Sequence, residues 1–229
     1  MKGKGYFITG TDTDVGKTYV ACQLMAALCE GPLSVAGFKP VASGAKSHDG
    51  VLKNDDALLL IEQASKSEDY QIINPYCFAP AIAPHIAAEQ AGCEIDFYKI
   101  EQNYTYLAEK NDVVIVEGAG GWCVPLTDDL SFYEIPIRLN LPVVLVVGLK
   151  LGCINHALLT EAAILQSGCK IIGWVANEID PAFQQQDQTV EYLKNKLKNP
   201  LLASFDFTSE IPTVTDTSKW TFKCFDIPA

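Results

Sequence analysis

The sequence predicts a doubly wound α/β fold, a mostly parallel sheet flanked by helices. Three observations lead there. Short apolar runs alternate with longer helical stretches along the chain. The apolar runs are continuous, as expected when helices cover both faces of a parallel sheet. Gly, Pro and Asn mark the boundaries between the two kinds of segment.

Tyr6–Thr9 is the first such strand. A helix opens at Gly16-Lys17-Thr18 and runs to about Cys29, with Val20, Leu24, Ala27 and Leu28 on one face, and Gly31-Pro32 ends it. Val35–Phe38 is a second strand, followed by the loop Lys39 to Gly44. Asp55–Ser65 reads as a helix capped by Asn54. Asn74–Pro84 holds three prolines and reads as a loop; His85–Gln90 and Phe97–Lys110 read as helices. The run from Asp112 to Glu117 is the clearest buried strand, and Pro142–Val147 and Ile171–Ala176 repeat its pattern. Between those two, Asn155 is placed to cap a helix ending near Gly168. Gln184–Leu197 is a further helix. After Leu202 the periodicity fades, and residues 205–229 are poorly readable.

One domain is expected over residues 1–229. Hydrophobic residues make up 48% and charged residues 20%, which is globular composition and excludes a disordered chain. A net charge of −11 argues against nucleic acid or an anionic membrane as partner. The longest apolar run, Leu141 to Leu149, stops at Lys150, far short of the ~20 residues a membrane span needs. The opening run Tyr6-Phe7-Ile8 is too short for a signal peptide. The eight cysteines form no CxxC pair, and several, such as Cys22, Cys29 and Cys169, fall in or beside apolar segments. Reduced core cysteines in a cytoplasmic protein are the expectation.

Ligands on such sheets bind at the carboxyl ends of the strands. The first such end carries Gly10-Thr11-Asp12-Thr13-Asp14-Val15-Gly16-Lys17-Thr18. Strand, loop ending in Gly-Lys-Thr and helix make a phosphate-binding P-loop. Backbone N–H groups cradle the anion, Lys17 reaches the β- and γ-phosphates, and the Thr18 hydroxyl binds Mg²⁺. The pattern is shifted, since Gly10 comes one residue early and position 11 is Thr. The second is Glu117 at a strand tip before Gly118-Ala119-Gly120-Gly121, the usual place for a Mg²⁺ ligand beside a P-loop. The third is Lys39. A lysine at a strand end can serve a transferring phosphoryl group or a nascent carboxylate; it can equally be a solvated residue, and the residues alone leave both readings open. His85 and His156 read as packed, hydrogen-bonded residues.

Together with Lys39-Pro40-Val41-Ala42-Ser43-Gly44, Pro84-His85, Glu117 to Trp122, Lys150 to His156 and Gly173-Trp174-Val175-Ala176-Asn177, the P-loop run resembles the dethiobiotin synthetase family over roughly residues 5–180. That family carries the same P-loop shift. The resemblance implies a cytoplasmic ligase using ATP, Mg²⁺, CO₂ and 7,8-diaminopelargonate (7,8-diaminononanoate). It implies that Lys17, Lys39 and Thr13 act at the reacting groups. Asp14, Val15, Gly16, Lys17, Thr18, Tyr19, Glu117, Gly118, Ala119, Gly120 and Asn177 would hold the nucleotide. Ser43 would bond the carbamate, and Gly152, Cys153, Ile154 and Asn155 would bind the far carboxylate from the neighbouring subunit of a dimer. Thr18, Asp56 and Glu117 would be the metal ligands, with Asp55 the alternative to Asp56.

Asn177-Glu178-Ile179-Asp180 also has the spacing of a guanine-reading motif, but Glu178 stands where that motif has lysine, which favours ATP. The family's second adenine-side segment departs here. Pro200-Leu201-Leu202 leads into Ala203-Ser204-Phe205-Asp206, Glu210-Ile211-Pro212 comes later, and no helix is visible in Thr213–Ala229. The main rival is a P-loop switch ATPase of the partitioning or septum-positioning type. Such proteins carry an extra P-loop lysine where this chain has Asp12. A second rival, a phosphotransacetylase-like or cobyrinate-amidating relative, would not carry both Lys39–Gly44 and Gly152–Asn155.

Overall fold

The structure, a computed structural model, describes residues 3–208 and 217–227. In chain order its elements are β1 (Lys4–Gly10), α1 (Lys17–Cys29), β2 (Val35–Phe38), β3 (Val41–Ala42), β4 (Lys46–His48), β5 (Val51–Lys53), α2 (Asp55–Gln63), α3 (Tyr70–Ile73), β6 (Tyr76–Cys77), α4 (Pro84–Gln90) and α5 (Phe97–Lys110). Then come β7 (Val113–Glu117), α6 (Glu134–Arg138), β8 (Val143–Leu149), α7 (Cys153–Gln166), β9 (Ile171–Glu178), α8 (Gln186–Lys196) and β10 (Leu201–Phe205).

Six of the strands form one parallel sheet in the order β10-β9-β8-β1-β7-β2. β1, β7 and β8 are apolar and buried almost throughout, which explains their continuous hydrophobic runs. Two cores result. One packs α5 and α7 through Ile100, Leu107 and Ile164 against Val114, Val116 and Leu145. The other packs α1 through Val20, Leu24 and Leu28 against Ile8, Ile115 and Val144.

The Asn54 side chain caps α2 by accepting from the Ala57 N–H at 3.2 Å. Asn155 does not cap α7: Gly152 is the N-cap, in a left-handed conformation that a branched residue would strain, and Asn155 lies exposed in the first turn. β9 runs on through Asn177 to Glu178, two residues beyond its apolar stretch. Within Asn74–Pro84, β6 pairs with β3. The C-terminal segment carries no α-helix among its described residues. Trp220 and Phe225 pack instead against Phe205 and Tyr6 by edge-on ring contacts. Residues Glu210 to Pro212 lie outside the described residues.

The cysteine expectation holds for Cys22 and Cys153, which are buried, burial pushing the Cys22 thiol up to about 12. It fails for Cys93 and Cys123, which are exposed on loops. All eight thiols are free. No described helix is long and apolar enough to cross a membrane.

Candidate active site

The carboxyl ends of β1, β2 and β7 open into a cleft of about 870 Å³. Its wall on the P-loop side is Thr13, Asp14, Gly16, Lys17 and Thr18; facing these are Lys39, Ser43 and Asp56, with Glu117, Ala119 and Gly120 at the floor. A smaller cavity of about 470 Å³ lies at the opposite, amino ends of the strands, by Lys4 and Tyr104, away from these residues.

The P-loop turns on Gly16, whose φ of 86° belongs to the left-handed region. A Cβ there would overlap the Asn177 side-chain amide. That amide is buried and donates to the Val15 carbonyl at 3.0 Å, so Asn177 braces the loop from behind. Gly16→Ala is expected to cost about 1–3 kcal/mol, read as a lower denaturation midpoint, and to weaken nucleotide binding. A variant as stable as the parent would show that the loop tolerates the side chain.

Lys17 is buried, and its Nζ donates to the Asp12 carbonyl at 2.9 Å. Burial, aided by the positive charge of Lys39, lowers its pKa to about 8. A buried ammonium held by a neutral carbonyl is incompletely compensated, and an anion entering the loop would complete it.

Register explains the rest of the floor. β2 and β7 pair with Phe38 opposite Val116, so Lys39 and Glu117 emerge side by side, 78 positions apart in sequence. Lys39 Nζ lies 2.6 Å from Glu117 Oε1 and 2.9 Å from Asp56 Oδ2, and the Thr18 hydroxyl donates to Glu117 Oε1 at 2.7 Å. Lys39 is 3% exposed and Glu117 0%, which removes the solvated reading of Lys39. Burial disfavours the Lys39 ammonium, but Glu117 and Asp56 outweigh it and hold the group above its ordinary range. Burial likewise pushes Asp56 up, and Lys39 more than reverses this, leaving it below the usual carboxylate range. Burial dominates at Glu117 and raises it, with Lys39 pulling the other way.

Glu117 Oε2 is buried without a hydrogen-bond partner. An orphaned carboxylate oxygen beside a hydroxyl and a second carboxylate fits a hard cation that takes its remaining ligands from water and phosphate. Among the described residues no cluster of three or more His, Cys, Asp or Glu could hold a metal alone, so such an ion would depend on its nucleotide. Asp56 faces the cleft, whereas Asp55 turns outward to Lys46 at 2.6 Å.

Not every expected residue reaches the cleft. Val15 is buried beneath the loop, Tyr19 packs edge-on against Phe205, and the Gly118 carbonyl accepts from Lys39 at 3.4 Å. Gly152, Cys153, Ile154 and Asn155 are not part of the cleft of their own chain. Sequence reading missed Ala81, Ile82, Ala83 and Val124, which complete the wall; small apolar loop residues carry no chemical signature. His85 and His156 are half-buried, but the Nδ1 of each lacks the hydrogen bond expected for it.

A phosphate-binding loop on β1, two lysines and a strand-tip carboxylate on a parallel sheet define a P-loop nucleotide-binding protein of the doubly wound class. A family model described as an AAA domain matches residues 4–214. The ATP-dependent dethiobiotin synthetase BioD of Pseudoalteromonas translucida (strain TAC 125) is 46% identical over 210 residues, covering 91% of this chain and 92% of that protein. The ATP-dependent dethiobiotin synthetase BioD 1 of Escherichia coli (strain K12) is 42% identical over 217 residues, 95% and 96% of the two chains. The chain belongs to the ATP-dependent dethiobiotin synthetase family, a family of ATP-dependent ligases. Similar folds occur in the MinC:MinD cell division complex of Aquifex aeolicus (TM-score 0.57, 14% identity, 90% of this chain and 83% of that one). A ParA family ATPase from Chlorobium tepidum TLS gives 0.55 at 12% identity, over 90% and 85% of the chains. At such identities these show the shared fold alone.

Proposed function

We infer that the chain, as one ligase domain, catalyses the ATP-dependent carboxylation and ring closure of 7,8-diaminopelargonate to the cyclic urea dethiobiotin. The single observation that carries the chemistry is the buried Lys39–Glu117 pair, joined by the half-exposed Asp56, meeting the P-loop in one cleft. Family membership supplies the substrate.

One amine of the substrate adds CO₂ and loses a proton, giving a carbamate. A carbamate oxygen attacks the γ-phosphorus of ATP and ADP leaves. The second amine attacks the carbon of the resulting carbamic–phosphoric anhydride, loses a proton and expels phosphate, closing the ring. No protein nucleophile is required; the site must align the reactants and set positive charge against crowded anions. Lys17 leaves the Asp12 carbonyl for the β- and γ-phosphates. Lys39 would face the junction of carbamate and γ-phosphate, and Ser43 and Thr13, which line the same cleft, would act beside it. Thr18, Asp56 and Glu117 would hold Mg²⁺, which when bound neutralises phosphate charge. Asn177, at the β9 end of the loop, is the candidate for adenine.

The first-turn N–H groups of α7 suit the far carboxylate of the diamine. They lie outside the cleft of their own chain, so they would serve a second copy. Leu151, in the turn before α7, and Leu159, on the helix, are 89% and 62% exposed, apolar surface suited to such contact. A homodimer is therefore expected. Sedimentation should find two chains per particle, and Leu159→Asp should yield monomers with impaired diamine turnover; a fully active monomer would remove the shared site. The cytoplasm is the expected location.

The decisive measurement is ADP release with and without the diamine and bicarbonate. Release should require both. A switch ATPase would be indifferent to the diamine, and that result would overturn the reading.

A further inference from the structure

Asp12 takes three hydrogen bonds and has no part in the chemistry above. Its carbonyl accepts from Lys17 Nζ at 2.9 Å, its Oδ1 from the Thr13 N–H at 2.8 Å, and its Oδ2 from Lys150 Nζ at 3.1 Å. Lys150 is the residue immediately after β8. Its carbonyl accepts the Cys153 N–H at 3.0 Å and so closes the turn that starts α7. One lysine thus shapes two places. Its side chain steadies the first half of the P-loop, and its backbone sets the helix end carrying Gly152 to Asn155.

The electrostatics give this arrangement a purpose. Asp12 is an anion in the first half of a loop that must receive an anion. A lone carboxylate there would repel phosphate and compete for Lys17. Lys150 neutralises it, and the Thr13 N–H fixes its orientation. The Lys150 ammonium also holds the Asp12 carboxyl below the usual range. The two side chains are 36% and 46% exposed, so the pair contributes little to stability. Its loss should show in ligand binding and not in folding.

We propose that Lys150 is a positioning residue that, through Asp12, couples the phosphate loop of one copy to the α7 N-terminus that it presents to its partner's cleft, so that nucleotide binding in one site and diamine binding in the other strengthen one another. When nucleotide draws Lys17 away, the Asp12 carbonyl loses its donor, and Lys150 and Thr13 alone hold the residue. The adjustment of Lys150 is felt at the turn where Cys153 is anchored. This rests on the reading that the α7 N-terminus takes the diamine carboxylate.

The test is calorimetric titration with Mg²⁺ and a non-hydrolysable ATP analogue, with and without saturating 7,8-diaminopelargonate. The parent enzyme should bind the analogue more tightly with the diamine present, within the ~5–150-fold typical of coupled sites. Lys150→Met should bring that factor close to one with an unchanged denaturation midpoint, and Lys150→Arg should retain it. Asp12→Asn removes the same ion pair by a minimal exchange, serves if Lys150→Met does not fold, and should match it; the double variant should lose no more than either single one. Undiminished coupling in Lys150→Met or Asp12→Asn, or no coupling in the parent, overturns the proposal. A parent enzyme that does not bind the diamine at all overturns the functional reading itself, and this proposal with it.

Discussion

Lys17→Ala is expected to lower turnover by about 10³-fold or more while the chain still folds. Removing one donor aimed at developing phosphate charge typically costs ~3–4 kcal/mol. In the proposed mechanism Lys17 is asked for more, because there it would contact the phosphates in the ground state and as ADP departs. The fold should survive because, among the described residues, Nζ hydrogen-bonds only to a loop carbonyl, that of Asp12. Burial already opposes the ammonium, lowering its pKa to about 8, so the empty site loses an unfavourable charge along with the side chain. Circular dichroism and a denaturation midpoint check the fold; ADP release in the presence of diamine and bicarbonate checks the activity. A folded variant with near-normal turnover would remove the P-loop assignment.

Much of this site was legible because each of its parts sits at the end of an element with a strong local pattern. Asp112–Glu117 reads as a strand buried on both faces, and the structure forms it over Val113–Glu117 and buries all five residues. Gly16-Lys17-Thr18 follows a strand and opens a helix, as a phosphate loop must. What the sequence could not show was adjacency. Lys39 and Glu117 meet because β2 lies beside β7 in a particular register, and a residue pattern does not encode strand order. The missed elements are weak for physical reasons. The β4–β5 hairpin has strands of only three residues and buries none of them, and α6 is five residues long with Pro136 inside it. The segment holding Trp220 and Phe225 is fixed by ring packing, which has no period to detect. Asparagine favours a cap position, which points the sequence to Asn155; Gly152 takes the cap because the turn after Lys150 needs a left-handed φ of 92°.

Lys39→Gln is expected to act on the transition state more than on binding. The side chain is buried at the carboxyl end of β2, between Glu117 at 2.6 Å and Asp56 at 2.9 Å, so its charge is fixed in place before substrates arrive. Preorganised charge of this kind is worth most where new charge develops, and under the proposed mechanism it would develop there only once the diamine is carboxylated and ATP is bound. kcat should fall by about 10²–10³-fold, or ~3–4 kcal/mol, with little change in KM for ATP. Glutamine keeps a donor toward Glu117 but not the charge, and a buried carboxylate that loses its cation is costly. Some loss of stability should therefore accompany the variant, and its denaturation midpoint must be read beside the kinetics. Burial raises the Glu117 pKa, so without Lys39 that carboxyl is drawn further toward its protonated form, which is a poorer ligand for Mg²⁺. The fall in kcat should then be partly relieved by raising Mg²⁺, whereas a pure loss of phosphoryl stabilisation would not respond. A rise in KM for the diamine at constant kcat would mean that Lys39 binds carbamate equally in ground and transition states. Its role in phosphoryl transfer would then be wrong even with the enzyme correctly assigned.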